Sequence, residues 1–112
     1  MVNVCITLPN IIKEDISYIV EKFSNSKYAD NIIRIILFGS FANDTHQPDS
    51  DIDLAIVVKN KLEKRHLAEY YLMTDNLTRS TDFIFCTEEQ VLSGKYVYSE
   101  ILRKGVTVYE NV

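Results

Sequence analysis

The stretch LFGSFANDTHQPDSDIDLAIVV, residues 37–58, ends one apolar run on Gly39-Ser40, crosses ten mostly polar residues, and opens the next run with Asp51-Ile52-Asp53. Upstream, NIIRIILFG (31–39) is rich in β-branched residues and bounded by Asn31 and Gly39, which predicts a buried strand. DIDLAIVVK (51–59) predicts a second. Side chains alternate along a strand, so Asp51 and Asp53 share a face with Ala55 and Val57, while Ile52, Leu54 and Ile56 point into a core on the other side. Two carboxylates about 4 Å apart repel by roughly 4 kcal/mol at an effective dielectric of ~20. Without a counter-charge, one of them would hold a proton. A divalent cation removes the conflict, and hard carboxylate oxygens suit Mg²⁺.

Working outward, Pro9 and Asn10 precede IIKEDISYIVEKFSNS, where Ile12, Ile16, Ile19, Val20 and Phe23 recur at helical spacing. NKLEKRHLAEYYLMTDNLT (60–78) predicts a helix with Leu62, Leu67, Tyr70, Tyr71 and Leu77 on its apolar side. STDFIFCT (80–87) predicts a third strand. Glu88 to Lys104 predicts one or two helices interrupted near Gly94, Gly105 a cap on the last turn, and VTVYE a final strand. This order implies an α/β (α+β) layer, a small mixed sheet flanked by helices. At 112 residues without a linker or composition break, residues 1–112 form one domain.

The third strand opens near Asp82. If it pairs beside the second, Asp82 reaches the same site, and three acids at neighbouring strand ends form a platform for two metal ions and phosphoryl chemistry. Gly39 marks a sharp turn or a close backbone approach. Ser40 then starts a turn whose free N–H groups and hydroxyl favour an anion. An anion-binding turn facing a metal-binding pair is what a nucleoside triphosphate requires. Taken singly, Asp-x-Asp is a common strand opening and Gly-Ser a common turn; their conjunction carries the information.

Composition narrows the classes. With 46% hydrophobic and 25% charged residues the chain reads as globular. A net charge of −4 disfavours duplex nucleic acid as a direct ligand. No apolar run approaches the ~20 residues of a membrane span, and MVNVCITLPN is short and polar for a signal peptide. Cys5 and Cys86, far apart among apolar neighbours, read as reduced, buried thiols of a cytoplasmic protein.

The motif Gly39-Ser40, ten residues, Asp51-Ile52-Asp53, with Asp82 beyond it and an ending EILRKGVTVYEN, resembles the minimal nucleotidyltransferases of the DNA polymerase beta-like superfamily. The resemblance covers essentially the whole chain and implies a palm-like nucleotidyltransferase fold. It also implies that Asp51, Asp53 and Asp82 hold two Mg²⁺ ions, that Asp82 helps activate the nucleophile, and that Gly39 and Ser40 contact the triphosphate of ATP. AMP would pass to an acceptor hydroxyl. Many such proteins are antitoxins of HEPN/MNT toxin–antitoxin pairs, which makes a HEPN ribonuclease toxin the implied partner, a tyrosine on it the acceptor, and a hetero-oligomer the expected assembly.

One departure stands out. Members often follow Gly-Ser with a basic residue and Ala-Arg-Gly, where this chain has Phe41-Ala42-Asn43-Asp44. It motivates an alternative, a catalytically degenerate module that neutralises its partner by binding alone. Transfer to a small molecule such as an antibiotic is a third reading, disfavoured because members of that kind generally carry an additional helical domain. Arg103 and Lys104 are candidate sources of the missing positive charge. His46, His66 and the run KNKLEKRH read as solvated, and Asp49 stays outside the ligand set. Tyr70, Tyr71, Tyr96 and Tyr98 suit core packing or a protein interface.

Overall fold

A computed structural model describes residues 8–42, 50–72 and 81–111. Helix α1 (Asn10–Ser24) begins directly after Pro9, whose carbonyl accepts from the Ile12 and Lys13 N–H groups. Its apolar stripe of Ile12, Ile16, Ile19, Val20 and Phe23 is fully buried. Strands β1 (Ile32–Phe38), β2 (Ile52–Val58), β3 (Thr81–Thr87) and β4 (Val106–Glu110) form a sheet in the order β3-β2-β1-β4. β1 runs antiparallel to both β2 and β4, whereas β2 and β3 are parallel. The crossover between those parallel strands carries helix α2 (Lys64–Leu72).

The strand alternation sorts two apolar layers. Ile52, Leu54, Ile56 and Val58 of β2 pack with Ile35 and Leu37 of β1, Phe83 of β3 and the α1 stripe. Phe23 meets Phe83 edge-on, ring centroids 5.5 Å apart. On the other face, Ala55 and Val57 pack with Ile36, Phe38 and Cys86 beneath α3 (Glu88–Ser93) and α4 (Val97–Lys104). Each side chain of the Val/Leu/Ile/Phe kind so buried stabilises the fold by roughly 1.5–3 kcal/mol. Alternation along β1 is interrupted: its register against β2 slips between Ile32 and Arg34, so Ile33 joins the α3–α4 layer while Ile35 returns to the α1 layer.

α3 starts without a loop because Thr87 builds a capping box. Its hydroxyl accepts from the Gln90 N–H (3.3 Å), and its own N–H donates to Gln90 Oε1 (2.9 Å). Gly94, in the left-handed region (φ +64°), ends α3 at the predicted break. Gly105 follows α4 as expected, but its backbone is extended (φ −66°), so it is no left-handed cap. A glycine is needed there because a Cβ would collide with the Ile101 carbonyl and with Ile36. Arg34 and Glu88 tie β1 to α3 through two hydrogen bonds of 2.8 and 3.2 Å.

Cys86 is buried, and burial pushes its thiol up to about 11. Most of KNKLEKRH is exposed; His66 is half-buried, its ring 5.0 Å from that of Tyr28. Cys5, Asn43, Asp44, His46, Asp49 and Leu77, together with the side chains of Leu67, Tyr70 and Tyr71, lie outside the described residues. No described helix is long and apolar enough to cross a membrane.

Candidate active site

The topology brings the C-terminal end of β1 and the N-terminal ends of β2 and β3 to one edge of the sheet. Asp53 stands opposite Phe38 across the antiparallel β1–β2 ladder. On its other side it is in register with Asp82 across the parallel β2–β3 ladder. Neighbouring strands lie about 4.8 Å apart, and residues in register present their side chains to the same face. Asp53 and Asp82 are therefore flanking carboxylates on the α3–α4 side of the sheet. Asp51 precedes β2 by one residue and is exposed, as is Asp82; Asp53 is half-buried.

Gly39 completes this corner. Its φ is +77°, and a Cβ added there would sit 3.1 Å from Asp53 Cγ and collide with Oδ2. Only glycine combines the positive φ with the close approach. Residues 40–42 continue as a turn, with Ser40 half-buried. Phe41 is 3% exposed and packs in the α1 layer, pinning the Gly-Ser bend to the core. That packing accounts for an apolar residue directly after Ser40, and it leaves the position without a cation. Arg103 and Lys104 are exposed in the last turn of α4.

Burial raises the pKa of the Asp53 carboxyl above its ordinary range, and the nearby charges of Asp82, Asp51 and Glu100 push it further. Asp51 and Asp82 are thus brought within electrostatic reach of Asp53. Glu100 was not anticipated from sequence. It lies on α4 beside Ile101, which is buried against the layer that contains Phe38 and Ala55. The helical phase around Ile101 was the available signal, since it turns the preceding residue toward the flank of the same layer. Among the described residues, no group of three or more His, Cys, Asp or Glu is already spaced to hold a metal ion. The three carboxylates offer hard oxygens of the kind that would suit a cation keeping part of its sphere for water or phosphate.

Residues 17–112 match the family model described as polymerase beta, nucleotidyltransferase. The chain belongs to that nucleotidyltransferase family. Over 49 residues it is 43% identical to a relative named protein adenylyltransferase MJ1305, from Methanocaldococcus jannaschii. The aligned segment spans 44% of this chain and 33% of that relative, about a third of its length. Among solved structures it is similar to a toxin–antitoxin crystallised with AMP-PNP, at a TM-score of 0.62 and 20% identity, over 85% of this chain and 73% of the other. A complex of tri-AMPylated Shewanella oneidensis HEPN toxin with MNT antitoxin gives 0.57 and 16%, over 88% and 72%. At these identities the structural likeness establishes the nucleotidyltransferase fold.

Proposed function

We propose that this nucleotidyltransferase moves AMP from ATP onto a hydroxyl of a partner protein, that it depends on Mg²⁺, and that the partner is a HEPN-type toxin modified on a tyrosine and thereby silenced. The observation that carries the reading is the in-register Asp53–Asp82 pair, with Asp51 beside it, set against a glycine backbone that tolerates no Cβ. Repulsion from its acidic neighbours adds to burial in raising the Asp53 carboxyl, and the same repulsion favours a divalent cation among them. Mg²⁺ is commonly held by one or two carboxylates together with substrate phosphates, so a closed cage of protein ligands is not required.

In this reading Asp51 and Asp53 supply the metal-ligating oxygens, with Asp82 as the third. Bound Mg²⁺ would neutralise the negative charge that develops on the phosphates. Gly39 and Ser40 receive the triphosphate through backbone N–H groups and the serine hydroxyl. The acceptor oxygen forms its bond to the α-phosphorus as the bond to the bridging oxygen breaks, and pyrophosphate leaves. Asp82, at the exposed end of β3, takes up the hydroxyl proton.

The test uses ATP labelled on its α-phosphate, Mg²⁺ and the product of the gene adjacent to the one for this chain. Label should appear on that product and vanish with Asp53→Ala; its absence with the unaltered chain would overturn the reading. Burial of Phe41 favours one second reading, neutralisation by binding alone, because the bend then offers no cation to a triphosphate. In that case Asp53→Ala would neutralise the toxin as well as the parent does.

A further inference from the structure

The corner between α3 and α4 carries a feature that the proposed chemistry does not use. Tyr96 is 90% exposed, yet its backbone adopts φ +54° and ψ −131°. The Tyr98 N–H donates to the Lys95 carbonyl at 3.0 Å, closing a turn whose second residue lies in the region that glycine occupies in type II′ turns. The ring buries almost nothing in return. Strained residues of this sort cluster at functional surfaces, and exposed aromatics held outward are common anchors of protein interfaces.

Its neighbours extend the patch. Leu92 is 65% exposed and Leu102 48%. Leu102 Cδ2 lies 3.9 Å from where a Cβ on Gly94 would be, so this side chain folds back over the α3–α4 turn, two residues from both Leu92 and Tyr96. The charges around it have one sign. In a chain of net charge −4, every exposed charged residue from Leu92 to Lys104 is a cation: Lys95, Arg103 and Lys104. Glu100 is half-buried on the Asp53 side, and Glu88 and Glu89 stand at the opposite end of α3, Glu88 paired to Arg34.

We propose that this corner docks the acceptor protein, with Leu92, Tyr96 and Leu102 as the apolar centre and Lys95, Arg103 and Lys104 as a basic rim facing an acidic surface. The inference rests on the protein-acceptor reading above and names where that acceptor sits. Charge selects the occupant: a second copy related by a two-fold axis would set this basic rim against itself. Reach supports it as well. Tyr96 immediately precedes α4 and Glu100 lies in that helix's first turn, about 6 Å further along the axis, so a protein seated here lies beside the flank from which the Glu100 charge acts on Asp53.

Calorimetry without nucleotide, using the product of the adjacent gene, separates docking from chemistry. Tyr96→Gly, the pair Leu92→Ser with Leu102→Ser, and the pair Lys95→Glu with Arg103→Glu should each weaken binding by at least about tenfold. Tyr96→Gly should at the same time melt higher than the parent, which separates lost contact from lost folding. Unchanged affinity in the first two variants, with AMP transfer intact, would overturn the docking surface and leave the proposed function standing. Absence of binding by the parent would overturn the docking surface, while label transfer to the same product decides the proposed function separately. Self-association of the parent, abolished by the same variants, would assign the face to a second copy and overturn the proposal.

Discussion

Gly39→Ala probes the core of the reasoning because its cost has two separable parts. An L-residue in the left-handed region pays roughly 1–2 kcal/mol, and φ +77° at Gly39 exposes alanine to that penalty. The new methyl must also displace the Asp53 carboxylate, whose Cγ would lie 3.1 Å away and whose Oδ2 lies closer still. Forced overpacking of this kind costs about 1–3 kcal/mol. The expected loss is therefore on the order of 2–5 kcal/mol, or about 4 °C in Tm per kcal/mol for a chain of this size. A double-mutant cycle with Asp53→Ala isolates the second part, since truncation removes Cγ and Oδ2 and leaves the backbone penalty alone. Urea unfolding of the four proteins should give a coupling of about 1–3 kcal/mol. Additive losses would refute the contact and, with it, the claim that the glycine bend and the acid form one site.

Three further outcomes follow from the same structure. The Asp53 carboxyl is raised in the folded state, so its contribution to stability is present below the ordinary carboxylate range and is lost as pH rises through the folded value. The urea midpoint of the parent should fall across that window relative to Asp53→Asn, Mg²⁺ should lessen the loss, and parallel curves for the two proteins would contradict it. With its thiol at about 11, Cys86 should resist iodoacetamide at neutral pH in the folded protein and react after unfolding; peptide-resolved mass spectrometry showing native-state modification at the rate of a free cysteine would count against its burial. Phe23→Ala should cost about 3–5 kcal/mol, read from the same urea transitions, because it empties the centre of the α1 layer; a loss under 1 kcal/mol would mean that layer is loosely packed.

Strand positions were legible because β-branched runs bounded by Asn31, Gly39 and Asp51 leave little choice of period. The assignment of Asp53 to one face and Ile52, Leu54 and Ile56 to the other follows from alternation alone, and the two packed layers agree with it. Adjacency of Asp53 and Asp82 was only conditional in sequence, since it needs β3 to lie parallel beside β2 in the observed register. That is a long-range outcome which no local pattern encodes. Glu100 was missed for a similar reason: the surface-like run SEILRK conceals that α4 lies across the face carrying the acids. Phe41 reads as a departure from a basic motif, whereas its role in the core becomes visible only once the bend is seen resting on the α1 layer.

The slip in β1 between Ile32 and Arg34 works as a phase-setter. The half of the strand near Asn31 and the half that ends at Gly39 follow the same alternation rule from different starting parities. Loss of one residue within this irregularity would regularise the pairing without turning Phe38 over, whereas loss of one residue beyond it would invert every side chain from there to the bend. Tolerance to deletion should therefore change abruptly along seven consecutive positions of a single strand.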